Sequence, residues 1–536
     1  MIIISIITFI VAIALPTIKI SSLNLARVSS IAFLFAAFLS FNVLYFESLR
    51  SGLGIYSGLY QVTAISQSIE TFIYIIAAFI LVPWFIKPLA TTHNSQLRLN
   101  TATGLKATQF TNNVGPILPE YSLILLFSVL GASLLLSSAD LISMYLSIEL
   151  QSFAVYLLAA IHRDSETATA AGLKYFLLGG LSSCFILLRA ALIYAYTGLT
   201  NLESIFNLLL VVTNSTEGVE STLPLLGLLF IVLGFLFKVA AAPLHNWAPD
   251  VFDEVPSIVT TWLTIMPKIS IFIFLFEIVN SALLGSTVNS TSLFSYGEFW
   301  SLPLKNVLLV CSLLSLIIGS VVGLAQYKIK RLLAYSTISH VGFLLLALGV
   351  NTEQSTESLI FYILQYSVTN LNTFLILLAF GYSLKSSKLG IGSTNSTYGS
   401  ALDIKYISEL KAQLINNPLL SLSLAICLFS MAGIPPLLGF FAKQQVLYAA
   451  LYNGYYFMSI VAILVSVISA SYYLQIIKIM NFASETETDK NTVNTNISNS
   501  HSMLISLLSL SIVFFMLNPN ILLNSTHLLA LTVFQR

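Results

Sequence analysis

The stretch Gly234-Phe-Leu-Phe-Lys238-Val-Ala-Ala-Ala-Pro243-Leu-His245-Asn-Trp247-Ala-Pro249-Asp250 decides how this chain is read. An apolar run leads into it from about Pro224. Lys238 stands inside that run, and Pro243 follows it. A bare lysine at the centre of a lipid-embedded helix costs roughly 2.5–3.5 kcal/mol on the insertion scale. Proline lacks the backbone donor and breaks or kinks a helix. Broken backbone at membrane depth survives only where it is buried in protein or lines a watery cavity. Charge and break together point to an ion path.

Composition supports a membrane setting. Of 536 residues, 57% are hydrophobic and 8% charged, and the mean hydropathy is +0.90. Soluble domains carry about 25% charged residues, so the chain reads as an all-α polytopic membrane protein. The net charge of +1 gives no sign of nucleic-acid binding. Cys184, Cys311 and Cys427 stand singly in apolar segments, which excludes a Cys-rich iron–sulfur or zinc framework. No Gly-x-Gly-x-x-Gly after a strand and no Walker loop is found, so neither NAD nor ATP has a signature here. The first segment lacks a basic n-region and a clear cleavage site, and is expected to be a retained helix. The richness in Ile, Leu, Phe, Ser, Asn and Tyr suits an AT-biased genome such as an organelle's.

A span needs about 20 apolar residues. About fourteen candidates follow: roughly 1–18, 29–46, 69–86, 121–138, 141–161, 172–197, 223–242, 257–280, 306–325, 332–350, 357–383, 417–441, 455–479 and 502–519. The polar connections are 87–120, 198–222, 281–305, 384–412 and 480–501. With this count both termini share a side. Opposite them fall Lys19, Arg27, Lys87, Arg98, Lys106, Arg163, Lys328, Lys330, Arg331, Lys385, Lys388, Lys405, Lys411, Lys478 and Lys490; on their own side fall Arg50, Lys305 and Arg536. Loop cations mark the side from which a protein is inserted. For an organelle-made protein that side is the matrix, and the termini face the intermembrane space.

Lys174, Arg189, Lys238, Lys268, Lys443, Glu149 and Glu277 lie within or beside apolar spans. Left unpaired, these charges would cost on the order of 20 kcal/mol by the insertion scale. Net protein stability is only about 5–15 kcal/mol. Most must therefore pair, lose charge, or face internal water. Span 12 repeats the pattern of span 7: Met431-Ala-Gly-Ile-Pro435-Pro436-Leu-Leu-Gly-Phe-Phe-Ala-Lys443 again joins a proline break to a lysine. The two spans are five apart, so they cross in opposite senses. This is the pattern of an inverted repeat with discontinuous helices. The expected division is 1–118 (three helices), 119–280 (helices 4–8), 281–481 (helices 9–13) and 482–536 (loop and helix 14).

Phe237-Lys238-x-x-x-x-Pro243-x-His245-x-Trp247-x-Pro249-Asp250-Val251 resembles the signature of the antiporter-like subunits of proton-pumping NADH:ubiquinone oxidoreductase, respiratory complex I. Pro-Asp-Val after the tryptophan is more similar to the chain 2 branch (bacterial chain N) than to chains 4 or 5. Leu173-Lys174-Tyr175-Phe176-Leu-Leu-Gly179-Gly-Leu-Ser182-Ser183 is similar to the branch's sixth-helix motif. Lys330-Arg331-Leu-Leu-Ala-Tyr335-Ser336-x-Ile-Ser339-His340-x-Gly342 resembles its tenth, and Gly433-Ile-Pro435-Pro436-x-x-Gly439-Phe-x-x-Lys443 its twelfth. These motifs run from about residue 140 to 443. Two departures stand out: Arg189 occupies a place where a small residue is usual, and the chain is longer than most members, with the excess in polar connections.

The resemblance implies a proton-translocating core subunit of the membrane arm of mitochondrial complex I, in the inner membrane. Such a subunit couples NADH-to-ubiquinone electron transfer, performed in other subunits, to proton pumping. It implies no redox chemistry, cofactor or metal in this chain; NADH, FMN, iron–sulfur clusters and ubiquinone belong to other subunits. The expected partners are neighbouring antiporter-like chains, other membrane-arm subunits and lipid. The family's relay positions map onto Glu149, Lys238, Lys268, His340 and Lys443, with Lys174 as an additional lysine of this branch. Desolvation disfavours a lysine's charge and a nearby carboxylate restores it, so a small change in pair geometry can load or release a proton.

Structural readings stand beside the functional ones. Glu149 and Lys174 could be ion-pair glue between helices, and Lys443 could snorkel to a surface. His340 could be a satisfied core histidine. His245 and Trp247 read as fixing the helix break, Lys328, Lys330 and Arg331 as topology anchors, Glu277 as solvated, and Trp84, Trp262 and Trp300 as packing or interface residues. Two other classes are a multisubunit bacterial cation/proton antiporter subunit and a non-conducting structural member of the arm.

Overall fold

The computed structural model describes residues 1–15, 22–46, 52–85, 120–162, 165–215, 222–287, 296–385, 403–482 and 497–534. Lys19, Arg50, Lys87, Arg98, Lys106, Arg163, Lys388, Lys490 and Arg536, named above for their charge, lie outside these residues, as do the side chains of Trp84, Trp300 and Lys385.

The helices are α1 (Ile2–Ala14), α2 (Ser22–Val43), α3 (Ala64–Leu81), α4 (Glu120–Leu136), α5 (Leu141–Ala160), α6 (Glu166–Thr197), α7 (Leu202–Ser215), α8 (Thr222–Val239), α9 (Trp247–Glu254) and α10 (Ser257–Thr287). There follow α11 (Tyr296–Leu324), α12 (Ile329–Val350), α13 (Glu353–Lys385), α14 (Pro418–Ala432), α15 (Leu438–Tyr452), α16 (Tyr456–Phe482), α17 (Asn499–Phe514) and α18 (Asn520–Phe534). Among the described residues, ten helices are long and apolar enough to cross a membrane, and shorter apolar helices join them.

Every one of the fourteen apolar runs coincides with a helix or with a pair of half-helices. Some starts differ. α3 opens at Ala64 because Thr63 and Ser66 cap it reciprocally: Ser66 N donates to Thr63 Oγ1 at 3.0 Å and Thr63 N to Ser66 Oγ at 2.9 Å. Its polar first turns lower the local hydropathy, so the apolar run begins later than the helix. Besides the short half-helix α9, two longer helices among the described residues fall outside the fourteen runs. α7 occupies part of the polar connection 198–222, and α18 follows the last run. Both are shorter than the length a span needs, so hydropathy does not announce them.

A small antiparallel hairpin, β1 (Leu53–Ile55) and β2 (Tyr60–Val62), pairs Leu53 with Val62 and Ile55 with Tyr60. It seats on the α4–α5 connection: Gln61 N donates to Ser137 O at 2.6 Å, and Ala139 N to Leu59 O at 3.0 Å.

The packing repeats along the chain. α4 packs on α5 and α10, α5 on α6, α6 on both α8 and α9, and these two on α10. In the same order α11 packs on α12 and α16, α12 on α13, α13 on both α14 and α15, and these two on α16. Each unit opens with a close glycine contact. A Cβ on Gly131 would lie 2.5 Å from Gln151 N, and one on Gly319 would lie 2.6 Å from Ser339 N. α10, α12 and α13 form the centre, with 89–94% of their apolar windows buried, whereas α6 is only 28% buried and lies outside.

Candidate functional site

The α8–α9 and α14–α15 spans are interrupted by the same local device. α8 stops where Ala240 takes a left-handed φ of 64°, and Ala241 N reaches back to Leu236 O at 3.0 Å. α14 stops at Gly433, φ 86°, and Ile434 N reaches back to Phe429 O at 3.1 Å. This paired return satisfies carbonyls that a helix end would leave bare. Ala242–Pro243 and Pro435–Pro436 are cis. Trp247, opening α9, donates its indole N–H across the first break to Phe237 O at 3.0 Å. His245 Nδ1 lies 3.3 Å from Pro243 O. Trp247 thus ties the two sides of the break together, as read from the sequence, whereas the His245 contact is local to the turn.

Lys238 is the last-turn cation of α8. Its Nζ lies 3.3 Å from Glu149 Oε1 and 3.2 Å from Ser152 Oγ, both on α5. The pair is buried, with side-chain exposures of 6% and 12%. An ammonium has three donors. Beside it lies a cavity of about 20 Å³ lined by Gln151, Ser152, Tyr156, Tyr175, Trp247 and Pro267 among others, room for about one water. Gln151 Nε2 in turn donates to Ser270 Oγ on α10 at 2.9 Å.

Lys268 lies one residue beyond Pro267, the proline inside α10. Buried at 4% exposure, it donates to Tyr366 Oη at 3.2 Å. Tyr366 donates to Thr264 O at 3.1 Å. The Tyr366 ring lies 5.7 Å from the His340 ring, centroid to centroid. His340 Nδ1 meets Tyr362 Oη at 2.7 Å, and its Nε2 lies 3.5 Å from Tyr473 Oη. Tyr362 stacks on Phe343, whose ring centroid is 5.5 Å from Lys443 Nζ.

Lys443 folds back over the second break rather than out to a surface. It is 7% exposed, and its Nζ donates to Met431 O and Ala432 O, each at 2.9 Å. These are last-turn carbonyls of α14, where the helix dipole favours a cation. The fold-back needs glycine at two places. A Cβ on Gly433 would lie 2.9 Å from Lys443 Cδ, and one on Gly439 would lie 1.8 Å from Ser430 O.

Glu149, Lys238, Lys268, His340 and Lys443 are all buried, the first two as a pair between α5 and α8 and the last three joined through Tyr366, Tyr362 and Phe343 across α10, α12 and α15. Lys174 is not among them. It pairs with Asp250 Oδ2 at 3.6 Å at the partly exposed end of α9. Asp250 also accepts from Arg331. Glu277 is half-buried on α10, more than two turns beyond Lys268. Arg189 lies against the Phe230 ring, 4.0 Å from its centroid.

Sequence reasoning missed two groups. One is the tyrosines: Tyr362 and Tyr366 are spaced i, i+4 on α13, which sets both on one face. That spacing was the available signal. The other is a buried ionic knot. Asp403 accepts from Lys330 Nζ, from Ser257 Oγ and from Ser257 N, the last at 2.8 Å. Lys330 also donates to Val255 O at 2.9 Å, and Lys328 pairs with Asp253 at 2.6 Å. These cations therefore bind the α9–α10 junction to the start of α12.

The protein-family model described as NADH:quinone oxidoreductase/Mrp antiporter, TM, matches residues 138–469. A Rhizopus oryzae protein named NADH-ubiquinone oxidoreductase chain 2 is 50% identical over 559 residues, covering 100% of both chains. The NADH-quinone oxidoreductase subunit N of Rhodospirillum rubrum is 34% identical over 368 residues, 69% of this chain and 68% of that one. A chain of respiratory complex I from Thermus thermophilus with bound aureothin shares the fold, with a TM-score of 0.70 at 23% identity over 98% of this chain and 99% of that one.

Proposed function

The chain belongs to the NADH:quinone oxidoreductase/Mrp antiporter membrane-subunit family, and from that premise we propose that protons cross the complex by way of its buried line from Glu149 to Lys443. The chain is a multi-pass membrane subunit of proton-translocating NADH:quinone oxidoreductase, complex I. It sits in the mitochondrial inner membrane, beside other subunits of the complex, a reading that its likeness to NADH-ubiquinone oxidoreductase chain 2 supports. NADH, FMN, iron–sulfur clusters and ubiquinone are held by those other subunits, and this chain does no electron transfer of its own.

The observation that carries the proton path is the buried Glu149–Lys238 pair at 3.3 Å, set at a helix break beside a cavity with room for water. An ammonium–carboxylate pair can exchange its proton when the two groups separate. The line then continues through groups that can each accept and donate a proton: Lys268, the hydroxyl of Tyr366, the imidazole of His340 and Lys443. Tyr366 joins the first unit to the second, because α13 carries its hydroxyl to Lys268 on α10. Lys174, two turns into α6 and paired with Asp250, is the feeder of this line. Residues 119–280 and 281–481 are the two inverted units, residues 1–118 and 482–536 flank them, and the termini face the intermembrane space in an organelle-encoded chain.

The test is NADH-driven proton uptake in sealed vesicles alongside NADH oxidation. Lys238→Ala should abolish pumping in whatever share of the complex still reaches full native mass. Full pumping in that variant would sink the reading.

A further inference from the structure

Arg189 sits on α6, the helix whose outer face is least covered by the rest of the chain. Leu181, Phe185, Leu188 and Leu192 on that face are 37–53% exposed. Arg189 lies at the rim of this stripe and is itself half-buried. Its Nε is buried without a hydrogen-bond partner, and among the described residues no carboxylate forms an ion pair with it. The contact it does make is with the face of Phe230. A ring face repays only part of what a guanidinium loses on leaving water.

The direction of the side chain matters more than its burial. A Cβ on Gly227 would lie 3.8 Å from Arg189 O, and one on Gly234 would lie 3.5 Å from Ser182 O. α8 therefore runs antiparallel to α6. Phe230 lies beyond Gly227 toward Gly234, away from the Gly198 cap that ends α6. So the guanidinium points into the membrane-crossing part of the helix pair rather than toward the nearer end. That agrees with the general tilt of helical side chains toward the N-terminus. Eight residues of helix separate Arg189 from Thr197, about 12 Å of rise, so a headgroup at that end is out of reach. Among the described residues no anion of this chain meets it at that level.

We propose that the Arg189 face of α6 is an interface for a neighbouring membrane subunit, whose membrane-spanning carboxylate pairs with the Arg189 guanidinium. This rests on the reading above that the chain works within a multisubunit arm. Charge complementarity selects the occupant. Lipid tails offer no acceptor at this depth, whereas a carboxylate on a partner helix would itself need a cation there.

The test uses the whole complex, extracted gently from membranes. Arg189→Lys keeps the charge and adds a primary amine. Dicyclohexylcarbodiimide, which enters membranes, activates a carboxylic acid as an acylisourea. The amine attacks, an amide forms, and dicyclohexylurea leaves. The expected result is a cross-link from position 189 to an Asp or Glu in a spanning helix of another subunit, absent from the wild type. Arg189→Leu should lower the share of chain found at full native mass severalfold, and Arg189→Lys should restore it. No cross-link in a full-mass Arg189→Lys complex overturns the proposal. So does a cross-link within this chain, or wild-type assembly of Arg189→Leu. A wild-type chain running without redox subunits refutes instead the complex I reading.

Discussion

Consider Lys238→Met and Glu149→Gln, made singly and together. At 3.3 Å and an effective dielectric of about 20, the pair attracts by about 5 kcal/mol. Removing one partner of a buried pair typically costs about 3–5 kcal/mol, because the other charge is left without compensation. Against a total stability of about 5–15 kcal/mol, either single change should sharply reduce assembled complex. The double variant has no buried charge at this site. Met fills the volume of the lysine stem among Phe237, Ile148 and Ile271, which line the same cavity. Assembly should therefore recover, with a coupling energy of about 3 kcal/mol or more, at the top of the range seen for contacting residues. A purely structural ion pair and a proton relay agree up to this point. They part on pumping. If the pair is glue, the neutral double variant assembles and pumps. If it is a relay, the double variant assembles, oxidises NADH, and moves no protons through this chain. Native mass gives the first quantity, and dye-reported acidification against NADH oxidation gives the second. Additive losses of assembly would refute the pair; normal pumping in the double variant would refute the relay.

Tyr366→Phe removes the hydroxyl between Lys268 and Thr264 O without opening a cavity, so assembly should hold while the protons moved per NADH fall at least severalfold; an unchanged ratio would remove Tyr366 from the path. Lys330→Met takes its ammonium partner from Asp403, buried at 8% exposure, and should cost roughly 3–5 kcal/mol; thermal inactivation of the extracted complex reads this, and Lys330→Met with Asp403→Asn should recover much of it. Gly439→Ala drives a methyl to 1.8 Å from Ser430 O, a backbone clash that should prevent the α14–α15 fold-back and leave little full-mass complex. Gly180→Ala is the control, since a Cβ there meets nothing within 4 Å.

The lines most legible in the sequence were those where membrane physics forbids an ordinary explanation. A lysine beside a proline inside an apolar run has few allowed meanings, and Lys238, Pro243, Pro435 and Lys443 all stand at the breaks. Glu149 and Lys268 were readable for the same reason. Tyr362, Tyr366 and Tyr473 were not, because a tyrosine costs little in an apolar span and reads as packing until its hydroxyl is seen against a neighbour. Asp403 was hidden by distance. It follows a polar connection, and nothing local ties it to Lys330 or Ser257. α7 and α18 were hidden by length, since a hydropathy window rewards only runs near a full span. Lys174 is the opposite case: its motif was plain, but nothing local announced its partly exposed ion pair with Asp250.

The two breaks treat their lysines differently, and the difference follows from which side of the proline each occupies. Lys238 comes before its break, so it cannot reach the carbonyls its own helix frees. Trp247 takes Phe237 O, and the lysine turns to a carboxylate on α5. Lys443 comes after its break and reaches back across Gly433 to two carbonyls of α14. A carboxylate can take a proton and so change the field on its partner, whereas a peptide carbonyl keeps its dipole whatever the pH. The first lysine therefore has a partner that can switch, and the second has a partner that is fixed. For the same reason Glu149→Gln should alter the pH dependence of pumping or abolish it. The equivalent partner of Lys443 is main chain, which no side-chain substitution removes, so the second site is open to test only through the lysine itself or through Gly433 and Gly439.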